Sequence, residues 1–200
     1  MIIHNFEQRT EEWYKAKLAK FSGSDFHSFM GNSETKKRLL LEKVAEKITG
    51  KSENVELKSA DIQRGVEQED IARINYELET GNTVTQVGFI ELDEWTGCSP
   101  DGLVGEDGII EIKCPRASTF VKHLMDDSIE PQYYTQIQFN LMVSGRKWCD
   151  FIRYHENFDL YIKRVEADEE YQKKIRKALD ECIQEVKDNV EQLKNKGVKC

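Results

Sequence analysis

The sequence contains no apolar segment long enough to span a membrane, and its first residues lack the apolar stretch of a secretion signal. These two absences favour a protein of the cytoplasm. The 200 residues are 38% hydrophobic and 33% charged. That composition is ordinary for a soluble protein, and the length suits one domain with a sizeable core.

Paired cysteines are also missing. The five cysteines are odd in number, and no two of them stand in a C-x-x-C spacing. This pattern argues against a zinc site and against a disulfide framework. We therefore expect reduced thiols that pack as small core residues.

An excess of positive charge is absent as well. The sequence has 29 Lys and Arg residues and 37 Asp and Glu residues, which gives a net charge of −8. Such a balance argues against broad nonspecific adhesion to nucleic acid. It still allows a DNA enzyme whose basic groups are concentrated in a groove.

The most informative feature present is an acid–lysine pair at the end of a predicted hairpin. The apolar runs Leu103-Val104-Gly105 and Gly108-Ile109-Ile110, joined through Glu106-Asp107, predict two antiparallel strands. Closing this hairpin brings Asp101 beside Glu111 and Lys113. Since side chains of a strand alternate between its faces, Glu111 and Lys113 share one face.

Two carboxylates and a backbone carbonyl form a hard oxygen site that suits Mg²⁺ or Mn²⁺. Such a metal activates water, and Lys113 can orient that water or stabilise developing negative charge. An exposed hairpin that carries these charges by chance is the alternative, because a bare Glu-x-Lys is common. The segment Ser99-Pro100-Asp101-Gly102 at the other end of the hairpin favours the functional interpretation.

The pattern of elements predicts a mixed α/β domain with a central β-sheet flanked by helices. A second hairpin is predicted from 147–154 and 158–165. Periodicity, capping residues and helix-stop glycines predict a polar loop over 50–58 and helices over 34–49, 59–80, 117–126, 131–145 and 168–196.

Three further positions are candidates for the site. Ser24 begins a short helix whose free amides suit a phosphate, although an ordinary helix cap is an equal alternative. Glu69 lies on the long helix over 59–80, where most glutamates are solvated. Gln136 shares a helix face with Gln132 and Asn140, a face that can follow a phosphate backbone or can simply be polar.

Taken together, the chain closely resembles the phage lambda exonuclease group, the YqaJ-like viral recombinases, within the PD-(D/E)XK nuclease superfamily. The matching segments follow one another along nearly the whole chain. They are Arg9-Thr10-x-x-Trp13, Ser22-Gly23-Ser24, Arg64-Gly65-x-x-x-Glu69, Gly88-Phe89-Ile90, the segments 97–103 and 108–115, Tyr134-x-Gln136-x-Gln138 and Trp148-x-x-Phe151-x-x-Tyr154.

The resemblance implies one nuclease domain over 1–200 with a restriction-endonuclease-like PD-(D/E)XK core. Its parts are a helical N-terminal part (1–82), a catalytic sheet with a glutamine helix (83–166) and a C-terminal helix (167–200).

The resemblance also implies the roles of the site residues. Asp101 and Glu111 would ligate Mg²⁺, for which Mn²⁺ can substitute, and the carbonyl of Ile112 would be a further ligand. Lys113 would act on the attacking water. Glu69 would complete the acidic site as an outer or second-metal carboxylate.

A second group of residues matches the contacts of the family with the DNA end. Ser24, Ser99 and Gln136 correspond to contacts near the scissile end and the 5′-phosphate. Lys17 stands where the family often has an arginine that binds this phosphate. Lysine keeps the charge but lacks the bidentate fork of arginine.

The implied activity is an alkaline-type, Mg²⁺-dependent 5′→3′ exonuclease that degrades one strand of linear duplex DNA and leaves a 3′ overhang for recombination. The best-known members are homotrimers around DNA and work with a single-strand annealing protein, in a bacterial host and encoded by a phage or prophage. Two alternatives stay open, a structure-specific or sequence-specific endonuclease and a DNA-binding module without catalysis.

Overall fold

The structure, a computed structural model, describes residues 1–31, 33–52 and 60–198. The predicted loop over 50–58 therefore lies largely outside the described residues. In chain order the elements are β1 (Ile2–His4), α1 (Glu11–Lys17), α2 (Gly23–Phe26), a 3-10 turn (His27–Phe29), α3 (Glu34–Thr49), α4 (Ala60–Thr80), β2 (Val84–Thr85), β3 (Phe89–Glu91), β4 (Gly97–Cys98), β5 (Gly102–Val104), β6 (Gly108–Lys113), α5 (Ala117–Asp126), α6 (Pro131–Ser144), β7 (Trp148–Arg153), β8 (Tyr161–Glu166) and α7 (Glu169–Asn195).

The strands form two sheets. The larger has the order β2-β5-β6-β7-β8, and the smaller has the order β1-β3-β4. Strands β6 and β7 are parallel, whereas their neighbours pair in antiparallel fashion. Because parallel neighbours need a crossover connection, α5 and α6 lie between β6 and β7 in sequence. The predicted mixed α/β fold with a central sheet and flanking helices is confirmed.

Strand β6 is buried on both faces, which determines where its charged residues point. Ile109 belongs to the larger core, which also contains residues of α6. Ile110 and Ile112 belong to a second core that includes residues of α4. Since side chains alternate along a strand, Glu111 and Lys113 lie on the face that α6 covers.

The hairpin of β5 and β6 is confirmed, and its loop contains Gly105 in addition to the predicted connection Glu106-Asp107. Val104 pairs with Gly108, so Gly108 is a strand residue and the loop is 105–107. Gly105 has the positive φ, at 52°. A Cβ on Gly108 would lie 2.2 Å from the Trp148 ring, so this glycine is required for close packing.

Helix ends follow the capping residues of the sequence. Thr10 and Asp168 accept hydrogen bonds from amides in the first turns of α1 and α7. Gly50 and Gly145 end α3 and α6 in the left-handed conformation. Within the described part of the chain, no helix is both long and apolar enough to cross a membrane.

Two features depart from the expectations. Strand β1 lies in the N-terminal part that was predicted as helical, and it pairs with β3. The second hairpin has shorter and shifted strands, because Phe158 leaves the ladder and stacks on Phe120 of α5. Their ring centroids are 4.9 Å apart and the planes are inclined by 10°.

Candidate active site

One cavity of about 1160 Å³ lies between the sheet, α6 and the N-terminal helices. Its wall contains every residue that the sequence suggested for the site. These residues are Lys17, Ser24, Glu69, Ser99, Asp101, Glu111, Ile112, Lys113 and Gln136. Residues distant in sequence thus meet in one place, with acidic groups and lysines on the same wall.

Glu111 is the most enclosed acidic group of the cavity, with 2% of its surface exposed. Its Oε1 accepts hydrogen bonds from Lys113 Nζ and from Gln136 Nε2, both at 2.6 Å. Its Oε2 accepts a bond from Asn140 Nδ2 at 3.3 Å. Burial raises the pKa of Glu111 to about 7, although the Lys113 ammonium favours the ionised form.

Lys113 is held as an ammonium group. Burial lowers its pKa, but the carboxylates of Glu111 and Asp101 outweigh burial and raise the pKa above its ordinary value. The ring centroid of Tyr133 lies 5.1 Å from Nζ. A lysine that keeps its proton is a cation and a hydrogen-bond donor, which suits the predicted role of orienting water or stabilising negative charge.

Asp101 is joined directly to the far strand of its hairpin. Its Oδ2 accepts a 2.6 Å bond from the amide of Ile112, and its own amide donates to the carbonyl of Ile110 at 3.2 Å. Burial raises the pKa of Asp101. The predicted return of Asp101 to the end of β6 is therefore found in the structure.

Glu69 approaches the same cavity from α4 and is paired with Arg9. Arg9 Nη2 lies 3.1 Å and 2.9 Å from the two oxygens of Glu69. Burial raises the pKa of Glu69 and the Asp101 carboxylate adds to the effect, whereas Arg9 opposes it. The two carboxylates are thus electrostatically linked across the cavity.

The indole of Trp13 organises the end of the cavity formed by α1. Its Nε1 donates to Ser99 Oγ at 2.9 Å and to the carbonyl of Gly88 at 3.1 Å. The ammonium group of Lys17 lies 3.9 Å from the centroid of the Trp13 ring. Lys17 is therefore held beside the same wall as Ser99.

The segment around Ser24 reaches the cavity because of a glycine. A Cβ on Gly23 would lie 2.4 Å from Asn140 Oδ1, so only glycine lets α2 approach α6 this closely. Helix α2 has only four residues, and the side chain of Ser22 makes no capping bond. Its Oγ lies 3.3 Å from Ser24 Oγ, so two hydroxyl groups face this end of the cavity together.

The donor set fits a hydrated divalent cation. Among the described residues, no three carboxylate, imidazole or thiolate groups are grouped so that they could hold a metal alone. Mg²⁺ does not need such a cage, because it retains several waters and takes one or two carboxylates. The raised pKa values of Asp101 and Glu111 indicate buried carboxylates that nearby positive charge would stabilise.

Comparison with models of protein families identifies a family with this architecture. The model of the YqaJ-like viral recombinase domain matches residues 12–147, more than half of the chain. The chain belongs to the YqaJ-like viral recombinase family. None of the curated proteins compared matches it.

Solved structures agree with membership of the YqaJ-like family. The alkaline exonuclease LHK-Exo from Laribacter hongkongensis is 34% identical, with a TM-score of 0.88, over 94% of this chain and 98% of that one. The same enzyme in complex with dAMP gives the same values. A phage-related exonuclease from Haemophilus somnus 129PT, 14% identical with a TM-score of 0.65 over 87% and 96% of the two chains, shares the fold.

These comparisons confirm the family that the sequence suggested and the predicted class of enzyme, a nuclease that hydrolyses DNA. Nucleases of this kind act on DNA and generally use divalent metal ions. The roles of the individual site residues stay predictions.

Sequence reasoning left three residues of the cavity region without a role. The helical spacing of α6 puts Asn140 on the face of Gln136, and its bond to Glu111 follows from that spacing. Arg9 was part of a recognised motif, but nothing local links it to Glu69, 60 positions away. Tyr133 lies beside Lys113 only through the packing of α6 on the sheet.

Proposed function

We propose that this YqaJ-like protein is a Mg²⁺-dependent 5′→3′ exonuclease. It degrades one strand of linear double-stranded DNA and leaves a 3′ overhang for phage-type recombination. One observation carries the proposal. The acid–lysine cluster of Asp101, Glu111 and Lys113 and the side chain of Lys17 line a single cavity of about 1160 Å³. The 34% identity to an alkaline exonuclease, whose structure is also known with dAMP, supports it.

The metal site would consist of Asp101, Glu111 and the carbonyl of Ile112, with Glu69 as an outer or second-metal carboxylate. Mg²⁺ fits these hard oxygen donors, and Mn²⁺ can substitute. At this site a divalent cation would supply positive charge for the scissile phosphate and a lowered pKa for the water bound there.

The residues of the chain supply orientation and charge. Lys113 donates a hydrogen bond to the attacking water or to the phosphate oxygen on which charge develops. Gln136 and Asn140 hold the two oxygens of Glu111, so its carboxylate keeps one orientation. The enclosed wall around Glu111 excludes bulk water and strengthens these interactions.

We assign recognition of the DNA end to the part of the cavity formed by α1 and α2. Lys17 supplies positive charge for the 5′-phosphate, and Ser24, Ser99 and Gln136 supply hydrogen-bonding groups near the scissile end. Their common location in the cavity wall supports this role. A pocket that holds an end explains why cleavage would proceed from a terminus.

The assembly that we propose is a homotrimer around DNA, made of one nuclease domain per chain, residues 1–200. A closed ring retains DNA by topology, which suits a chain with a net charge of −8. We further propose that a single-strand annealing protein receives the overhang and that the protein works in the cytoplasm of a bacterial host.

The proposal is tested with linear duplexes labelled at the 5′ or the 3′ end and with closed circular duplex, each with Mg²⁺. We expect early release of the 5′ label, intact complementary strands and intact circles. Cutting of circles would instead indicate an endonuclease, and binding without digestion an inactive module. Asp101→Asn should abolish digestion, whereas Asp107→Asn, an exposed acid in the turn of the same hairpin, should not.

A further inference from the structure

Arg9 occupies both oxygens of an acidic residue that faces the proposed metal site. A single nitrogen, Nη2, lies 2.9 Å and 3.1 Å from the two oxygens of Glu69. Both side chains line the cavity. The side chain of Glu69 is 26% exposed and that of Arg9 is 38% exposed, so the pair is partly sheltered from water.

The backbone of Arg9 adopts an unfavourable conformation at this position. Its φ is +67°, in the left-handed region that side chains with a Cβ rarely adopt. The conformation is held from both sides. The side-chain Nε2 of Gln8 donates to the backbone carbonyls of Val87 and Pro100, each at 3.0 Å, and Thr10 caps α1. Arg9 is therefore anchored to the segment that leads into Asp101.

The pairing of Arg9 with Glu69 affects where a divalent cation can bind in the cavity. The Lys113 ammonium is bound to Glu111 at 2.6 Å, whereas the guanidinium of Arg9 contacts Glu69 at 2.9 Å. A divalent cation placed directly on Glu69 needs the oxygens that Nη2 holds. It would also meet a like charge at contact distance, which is unfavourable in a partly buried site.

We propose that Arg9 is a positioning residue that holds Glu69 outside the innermost ligand set and competes with a second divalent cation. In this arrangement one cation binds tightly at Asp101 and Glu111, and a second one binds weakly because it has to displace the guanidinium from Glu69. The inference rests on the proposed metal-dependent function and defines how Glu69 serves it.

The test measures Mn²⁺ binding to the purified, DNA-free protein by electron paramagnetic resonance of the free ion. Arg9→Gly removes the guanidinium and suits the positive φ, so the backbone stays in place. We expect the weaker Mn²⁺ site to tighten roughly two- to fivefold, the range for loss of a partly exposed ion pair. The tighter site should keep its affinity, and Arg9→Lys, which retains the charge, should recover part of the wild-type behaviour.

Two further variants separate the explanations. Lys15→Ala removes an exposed positive charge from the same cavity wall without touching Glu69, and it should leave both affinities unchanged. Arg9→Gly combined with Glu69→Gln should lose the gain. If Arg9→Gly leaves the affinity of the second Mn²⁺ site unchanged or weaker, or if Lys15→Ala raises that affinity equally, the inference about Arg9 is wrong. The proposed metal site is unaffected by either result. Absence of Mn²⁺ binding in the wild-type protein overturns the proposed metal site as well.

Discussion

Gln136 Nε2 lies 2.6 Å from Glu111 Oε1, so helix α6 holds the central carboxylate of the sheet. Asn140, one helical turn later, donates to the other oxygen of the same group at 3.3 Å. These donors fix the plane of the carboxylate, and each favours its ionised form. Gln136 therefore has a structural task at the site in addition to its predicted contact with DNA.

We expect Gln136→Ala to lower the rate of DNA digestion by about 10- to 100-fold, because Gln136 orients Glu111, the proposed metal ligand. The reason is that the Glu111 carboxylate loses one of its short hydrogen bonds. Initial rates on linear duplex measure the effect. Gln132→Ala, an exposed glutamine one turn earlier on α6, is the matched control. Equal rates in the two variants would contradict the role of Gln136.

Lys113→Met keeps the length of the side chain and removes its charge. We expect digestion to fall by roughly 10²–10³-fold, because the donor that we propose for stabilising the developing charge is lost. Binding of a labelled DNA end, followed by fluorescence anisotropy, should change far less than the rate. Lys147→Met, which removes an exposed lysine at the turn of the β5–β6 hairpin, should digest DNA at the wild-type rate. A parallel loss of end binding and rate in Lys113→Met would show that Lys113 acts in binding.

Tyr76 is fully buried and donates to Asp150 Oδ2 at 2.7 Å. Burial and Asp150 raise its pKa to about 12, so the folded state favours the neutral phenol. This contribution to stability is complete below the unfolded pKa of about 10 and is lost as the pH rises towards 12. We expect Tyr76→Phe to lower the free energy of unfolding at pH 8 by about 1–2 kcal/mol. Urea unfolding should show a smaller difference at pH 11, and an equal difference at both pH values would refute the linkage.

Local signals were sufficient for much of the fold and of the site. The limits of α3 and α5 agree with the predicted ranges 34–49 and 117–126, because caps and periodicity are properties of neighbouring residues. The meeting of Asp101 with Glu111 followed from one hairpin and from alternation along a strand.

Features that depend on distant packing could not be predicted in the same way. Ile2 pairs with Glu91, and the sequence of a three-residue strand does not indicate which distant segment it pairs with. The contact of Arg9 with Glu69 needs a left-handed backbone, which is unusual for arginine. Phe158 alternates with polar residues like a strand residue, yet its ring packs on Phe120 instead. In each case tertiary contacts outweigh the local pattern.

Lys17 offers the sharpest test of the DNA-end pocket, because its ammonium lies 3.9 Å from the Trp13 ring centroid and faces the cavity. We expect faster digestion of duplexes with 5′-phosphoryl ends than of those with 5′-hydroxyl ends, and a loss of that preference in Lys17→Ala. Lys17→Arg should keep or strengthen it, since a guanidinium binds phosphate through two donors. Lys15→Ala, an exposed lysine on α1, should leave the ratio of the two rates unchanged. Equal rates on both ends in the wild-type protein would show that the pocket does not recognise the phosphate.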